Sequence, residues 1–288
     1  MKKNPIGPLA AGCLLLIFGG CKKNGGADCS SCSTKSFTMF NSIHFNNTPD
    51  LTSQGVHDFD LVYSGHILTQ NPNNPKDQIL NLDSLQVVAN VSLTQPTVPV
   101  SIDIEVWSYS ASQLDTTINR YLALVQAFRQ MSGSKLGFYG VVPHDAFTWQ
   151  NISPVGGTSY LKWQALNDSL APIARVVDMF FPSFYTFDND TSSWDSYVTS
   201  TLSETHRYSR NIPIYAYVWP QYHDGSANQY AFVDTAVWRY ELETLYQQTD
   251  GIVIWTGDKD SNLNPITWDD NMAWWQTTLS FIQEHHIH

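Results

Sequence analysis

Two acidic residues stand two positions apart in an otherwise apolar run, VPVSIDIEVW (98–107): Asp103 and Glu105. Val and Ile around them read as a β-strand, on which successive side chains alternate between faces. The pair therefore shares a face, with Cα atoms roughly 6.5–7 Å apart. Two carboxyls so placed repel each other and lose hydration, which raises the pKa of at least one and keeps a proton in the pair near neutrality. A held proton beside a carboxylate is the equipment of general acid–base catalysis. Trp107 follows with the same parity. A structural Ca²⁺ or a buried Arg or Lys would also account for the pair. Among 15 Lys and Arg, however, only Lys135 lies on a neighbouring apolar run, at its edge.

The elements that must position this pair are legible as β-like runs at 36–43, 60–64, 85–92, 98–107, 135–142, 179–187, 212–219 and 251–257. Several are continuously apolar, as parallel strands covered on both faces are. Helical patterns at 115–133, 159–176, 193–208, 228–249 and 270–285 separate or follow the later runs. The alternation predicts an α/β fold, a (β/α)8 TIM-like barrel with an irregular first half. Within 44–83 the stretches NNTPDLTSQG (46–55) and TQNPNNPKDQ (69–78) read as loops, and 93–97 is too short for a crossover helix, so a hairpin is the alternative there.

Chemistry in such barrels gathers at the carboxyl ends of the strands. Those ends carry Asp103, Glu105 and Trp107, then Tyr139, Tyr185, Tyr217, Tyr222, Trp255 and Asp258. A carboxylate pair ringed by Tyr and Trp is the make-up of a sugar pocket, because the C–H faces of pyranose rings stack on aromatic faces. Composition agrees, with 10 Trp, 14 Tyr and 14 Phe against 14% charged residues. The expected partner is an oligosaccharide or polysaccharide. A net charge of −11 excludes nucleic acid, which needs clustered Lys and Arg. No cofactor motif or metal-ligand set is read. EHHIH at the C-terminus reads as an unstructured tail, HDGS (223–226) as a turn.

The N-terminus, MKKNPIGPLAAGCLLLIFGGC, has two lysines, an apolar run and small residues before Cys21, which reads as a lipoprotein signal over 1–20 with Cys21 lipidated. Residues 21–35 are then a polar tether containing Cys29 and Cys32, and 36–288 a single barrel domain. The expected place is a bacterial cell envelope, periplasmic or exterior, with membrane contact through the lipid anchor only. The sequons at 46–48, 90–92, 151–153 and 189–191 are discounted for a bacterial protein.

DIEVW resembles the D-x-E-x-W core of the hyaluronidase-type glycoside hydrolases, family 56. The ordered runs FYG, FPSFY, IPIYAYVWPQY and GIVIWTGD are similar to that family's successive strands, across roughly 85–260. The resemblance implies a retaining, substrate-assisted hydrolysis at an N-acetylhexosamine. Glu105 would be the acid and Asp103 would hold the acetamido group, with Tyr185, Tyr217 and Trp255 around it. The close spacing agrees, being too short for an inverting pair with water between. Ser108 and Tyr109 stand where the family has Arg and Pro, and 36–288 contains no cysteine for the family's disulfides. A chitinase-like or muramidase-like barrel is a neighbouring alternative, although Val98 and Ser101 occupy the places of the chitinase pattern's earlier Asp residues. A non-catalytic glycan binder on a hydrolase-like barrel is the alternative from another class.

Overall fold

The computed structural model describes residues 35–288. The expected signal 1–20, Cys21, Cys29 and Cys32 lie outside the described residues. The first half runs through β1 (Thr38–Ser42), β2 (Val56–His57), β3 (Asp60–Tyr63), a single turn α1 (Ser64–Ile67), β4 (Leu68–Asn71), β5 (Asn74–Leu80) and α2 (Leu82–Thr94). There follow β6 (Val100–Asp103), α3 (Leu114–Met131), β7 (Leu136–Phe138), a short α4 (Trp149–Ile152) and α5 (Thr158–Ala174). The chain ends with α6 (Thr191–Tyr208), β8 (Tyr215–Val218), α7 (Thr235–Gln248), β9 (Gly251–Trp255) and α8 (Ala273–His285).

Outside the antiparallel β4–β5 hairpin, the strands pair in parallel. β1 lies between β2 and β9, β9 pairs with β8, and β6 lies between β3 and β7. Bridges Tyr139–Phe181, Phe180–Ile214 and Ser183–Tyr217 set residues 180–183 between β7 and β8. Only Asp58 and Phe59 separate β2 from β3, so one extended segment touches β1 at its start and β6 at its end. The pairings thus run in a circle of seven staves among the described residues. The α/β class, the parallel strands and the irregular first half are as expected.

Run 85–92 is the exception: it is helix, within α2, and not a strand. Its valines suggested β structure, but Asn81 caps the helix, its side chain accepting from the N–H groups of Asp83 and Ser84 at 3.0 and 3.1 Å. Leu85, Ala89 and Ser92 then face inward at helical spacing, while Val87 and Val91 are exposed. Residues 93–97 are short because they lead from the crossover helix into β6. The run 60–64 is a strand as expected, β3, whereas TQNPNNPKDQ (69–78), read as a loop, lies within the β4–β5 hairpin. The helix expected from 228 starts at Thr235, where the Asp234 side chain accepts from Ala236 N–H.

Alternation sorts the strand residues into two cores. Met39, Ala216, Val218, Ile252 and Ile254 point outward to the helices, while Phe40, Phe181, Tyr217 and Val253 fill the barrel's interior. Two glycines permit close approaches. A Cβ on Gly137 would stand 2.6 Å from the Met179 carbonyl oxygen, and one on Gly251 would stand 2.0 Å from that of Thr38. The C-terminal EHHIH is docked and not an unstructured tail. Ile287 is buried in the outer core, and His285 packs on Tyr246 with Nε2 3.0 Å from the Glu243 carboxylate.

Candidate active site

The inward parity of each stave, followed to its carboxyl end, arrives at one cleft of about 760 Å³. On β6 the inward series is Ser101, Asp103 and, two residues on, Glu105. Asp103 and Glu105 both line the cleft, joined there by Tyr139, Tyr185, Tyr217, Trp255 and Asp258. Two expected residues are not in the wall. Trp107 is buried, its ring against Tyr121 at 4.9 Å and its indole N–H donating to the Gln78 carbonyl at 2.9 Å. Strand β6 ends at Asp103, so strand alternation no longer governs where residue 107 points. Tyr222 lies past the end of β8, packs in the outer core and donates its hydroxyl to Asn189.

The electrostatics follow from burial. Asp103 is pushed up to about 7, first by desolvation and then by the Glu105 charge. Glu105 is also raised, by desolvation and by the charge of Asp224. Burial and the neighbouring charge thus keep a proton on Asp103 up to about neutrality. Asp103 Oδ1 is buried with no partner in the protein, and so is the hydroxyl of Tyr217. Unpaired buried polar atoms are costly and uncommon. Facing a cleft, these two are groups that a polar ligand can satisfy.

The wall is aromatic and held in place. Trp255 packs edge-on against Trp219 at 4.6 Å and lies 5.7 Å from Tyr185. Its indole N–H donates to Tyr63 Oη at 2.9 Å, and that hydroxyl lies 3.3 Å from His44 Nε2. Tyr139 meets Tyr217 edge-on at 4.8 Å and donates to Ser183 at 3.2 Å. Across the cleft, Phe147 is exposed and has φ of +66°, a left-handed conformation that a bulky residue rarely adopts. Asp145 holds it there: one carboxylate oxygen accepts from Phe147 N–H at 2.7 Å and from the Tyr197 hydroxyl at 2.6 Å.

No protein-family model and no curated protein sequence matches the chain. Solved structures do. Bee venom hyaluronidase in complex with a hyaluronic acid tetramer superposes with a TM-score of 0.54 at 15% identity, covering 87% of this chain and 96% of that one. The same enzyme in a monoclinic crystal gives 0.53 and 14%, over 87% and 97%. A GH18 chitinase from Pseudoalteromonas aurantia gives 0.44 and 12%, over 86% and 100%. The likeness is one of fold.

Several cleft residues went unread in the sequence. His44, Tyr63 and Trp219 line it and share parity with Phe40, Leu61 and Tyr217, so extending the alternation would have found them. His223 and Asp224 enter from the HDGS turn. His223 stacks on Phe187 at 4.4 Å and contacts Asp224 at 2.8 Å. Asp145 lines a smaller adjoining cavity with Glu105 and Phe147, and burial raises it to about 6.

Proposed function

We propose that this chain is a glycoside hydrolase acting at N-acetylhexosamine units by a retaining, substrate-assisted mechanism. The observation that carries the reading is the Asp103–Glu105 pair at the end of β6, opening into an aromatic-walled cleft with Asp103 Oδ1 buried and unpartnered. Its fold likeness to a hyaluronidase solved with a hyaluronic acid tetramer supports it. The lipoprotein-type N-terminus adds an anchored position at a bacterial cell envelope to the proposal.

In this mechanism Glu105 gives its proton to the glycosidic oxygen as the bond to the anomeric carbon breaks. The acetamido carbonyl oxygen of the same sugar forms a new bond to that carbon from the opposite face. Asp103 accepts the acetamido N–H, which holds the group in line and offsets the positive charge that develops on it. Water then attacks the anomeric carbon, Glu105 takes the water's proton, and the acetamido group is released with configuration retained. Tyr217, Tyr185 and Trp255 enclose the acetamido group and exclude water, and the unpartnered Tyr217 hydroxyl donates to its carbonyl oxygen.

Full-length protein and its Glu105→Gln variant, given a panel of N-acetylhexosamine oligosaccharides, test the assignment. The amide keeps the shape and lacks the proton, so turnover should fall about 10²–10⁴-fold with binding retained. Undiminished cleavage by the variant would remove Glu105 from the acid's role. Binding without turnover in both proteins would leave a glycan-binding barrel.

A further inference from the structure

The charge around the cleft says which glycans it can take. Asp103, partly buried, lies toward its floor, Glu105, Asp224 and Asp258 also line it, and Lys259 is the sole Lys or Arg on the lining among the described residues. The two histidines do not redress the balance. Burial lowers the pKa of both His44 and His223, against the opposing pull of Asp258 and Asp224 respectively. Asp224 has a side chain 59% exposed, at the solvent edge, yet its charge reaches Glu105 and raises that group's pKa. A saccharide anion in this cleft would meet carboxylates in a site partly shielded from water, where like charges repel more strongly than in bulk solvent.

Resting on the hydrolase reading of the same cleft, we propose that the substrate is a hexosamine glycan without uronate or sulfate groups, and that the unit beside Asp224 is taken best as an unacetylated hexosamine. Its ammonium group faces Asp224, next to the acid, while an N-acetylated unit occupies the floor. There the buried Asp103 Oδ1 and Tyr217 hydroxyl, both without protein partners, require a polar neutral group such as an acetamide. Fully acetylated chains fit the same cleft without the added attraction. Alternating N-acetylhexosamine–uronate chains place a carboxylate on every second unit and are rejected.

The test compares full-length protein on three sets of oligosaccharides matched in length: fully N-acetylated chitooligosaccharides, partly de-N-acetylated ones at a pH where their amines are charged, and hyaluronan fragments. Cleavage is followed by mass spectrometry and affinity by calorimetry, at low and high salt. The amine-bearing set should exceed the hyaluronan set by at least about tenfold in kcat/KM or affinity, with the acetylated set between. The margin should shrink in high salt. It should also shrink in Asp224→Asn, and less so in Asp258→Asn. Hyaluronan cleaved or bound as well as the amine-bearing set would overturn the proposal, as would a ranking that neither salt nor Asp224→Asn alters. If nothing is cleaved but binding follows the expected order, the hydrolase reading falls and the charge selection stands.

Discussion

Glu204 on α6 and Asp103 at the end of β6 are both carboxylates that this barrel takes out of water, and they are treated in opposite ways. Glu204, 1% exposed, receives a proton donor on each oxygen: Gln164 Nε2 at 2.7 Å and Arg207 Nη1 at 2.5 Å. Asp103 receives no donor on its buried oxygen and has Glu105 as its charged neighbour. A carboxylate serving architecture is neutralised, because an unpaired buried charge is strongly destabilising. One left wanting and turned toward a cleft is, in the function proposed above, kept for a ligand. Glu241 on α7 guards against reading too much into the missing cation alone. It accepts only from Thr186, at 2.7 Å, and burial pushes it up to about 8, so it holds a proton near neutrality. It lines neither the cleft that Asp103 and Glu105 share nor the smaller cavity beside Glu105. Desolvation and an opening together set the Asp103–Glu105 pair apart from Glu204 and Glu241, and Asp145 in the adjoining smaller cavity shares both features.

The contrast breaks most readily at Asp103. Asp103→Asn should lower turnover at least about 100-fold on the substrates proposed above, since the amide cannot balance positive charge on the acetamido group. Its stability should change in the other direction. Asp103 has a folded pKa above its unfolded value, so the folded state binds the extra proton. The wild type therefore holds that contribution in full below about pH 4 and loses it as pH rises through about 7. Against the variant, it should be less stable by about 2–4 kcal/mol above that window, and urea titrations at acid and alkaline pH would show it. Curves that keep a constant separation would mean the floor is not desolvated.

Arg207→Met comes next and probes the satisfied site. It leaves Glu204 with one donor, and unfolding free energy should drop by about 1–3 kcal/mol, partly restored by adding Glu204→Gln. Glycan cleavage should not change, and a loss there would end the separation of architectural from functional carboxylates. The smallest effect is at Phe147, where the cleft stores backbone strain. Phe147→Gly should be more stable than Phe147→Ala by about 1 kcal/mol, because glycine accepts the positive φ without cost. Both should raise KM about 2–10-fold through the lost aromatic surface, and Tm together with initial rates would separate the two effects.

Regular strands made much of this site readable. Asp103, Tyr139, Tyr217 and Trp255 lie on or directly beside strands, where a period of two carries from sequence to space. The same rule misled at Trp107 and Tyr222, which lie beyond the ends of β6 and β8 and whose indole and hydroxyl groups find partners at Gln78 and Asn189. Asp145, Phe147, His223 and Asp224 sit on loops after the staves, and loop conformation answers to contacts distant in sequence, such as Asp145 with Tyr197. Run 85–92 misled for a local reason. Three valines outweighed the cap at Asn81, although that cap was present in the sequence.

The pairing of β1 with β9 in the order Thr38–Gly251 to Ser42–Trp255 joins the first stave to the last across more than 200 residues. A ribosome delivers Phe40 long before it delivers Val253. Until then β1 can pair on its β2 side only, and loop closure over such a span is entropically expensive. The circle must therefore be completed late, after the intervening helices have begun to form. A chain released before Gly251 would present the open edges of β1 and β8 and should be recovered as aggregate. A soluble, monomeric fragment ending at Asp250 would show that closure is not the last step.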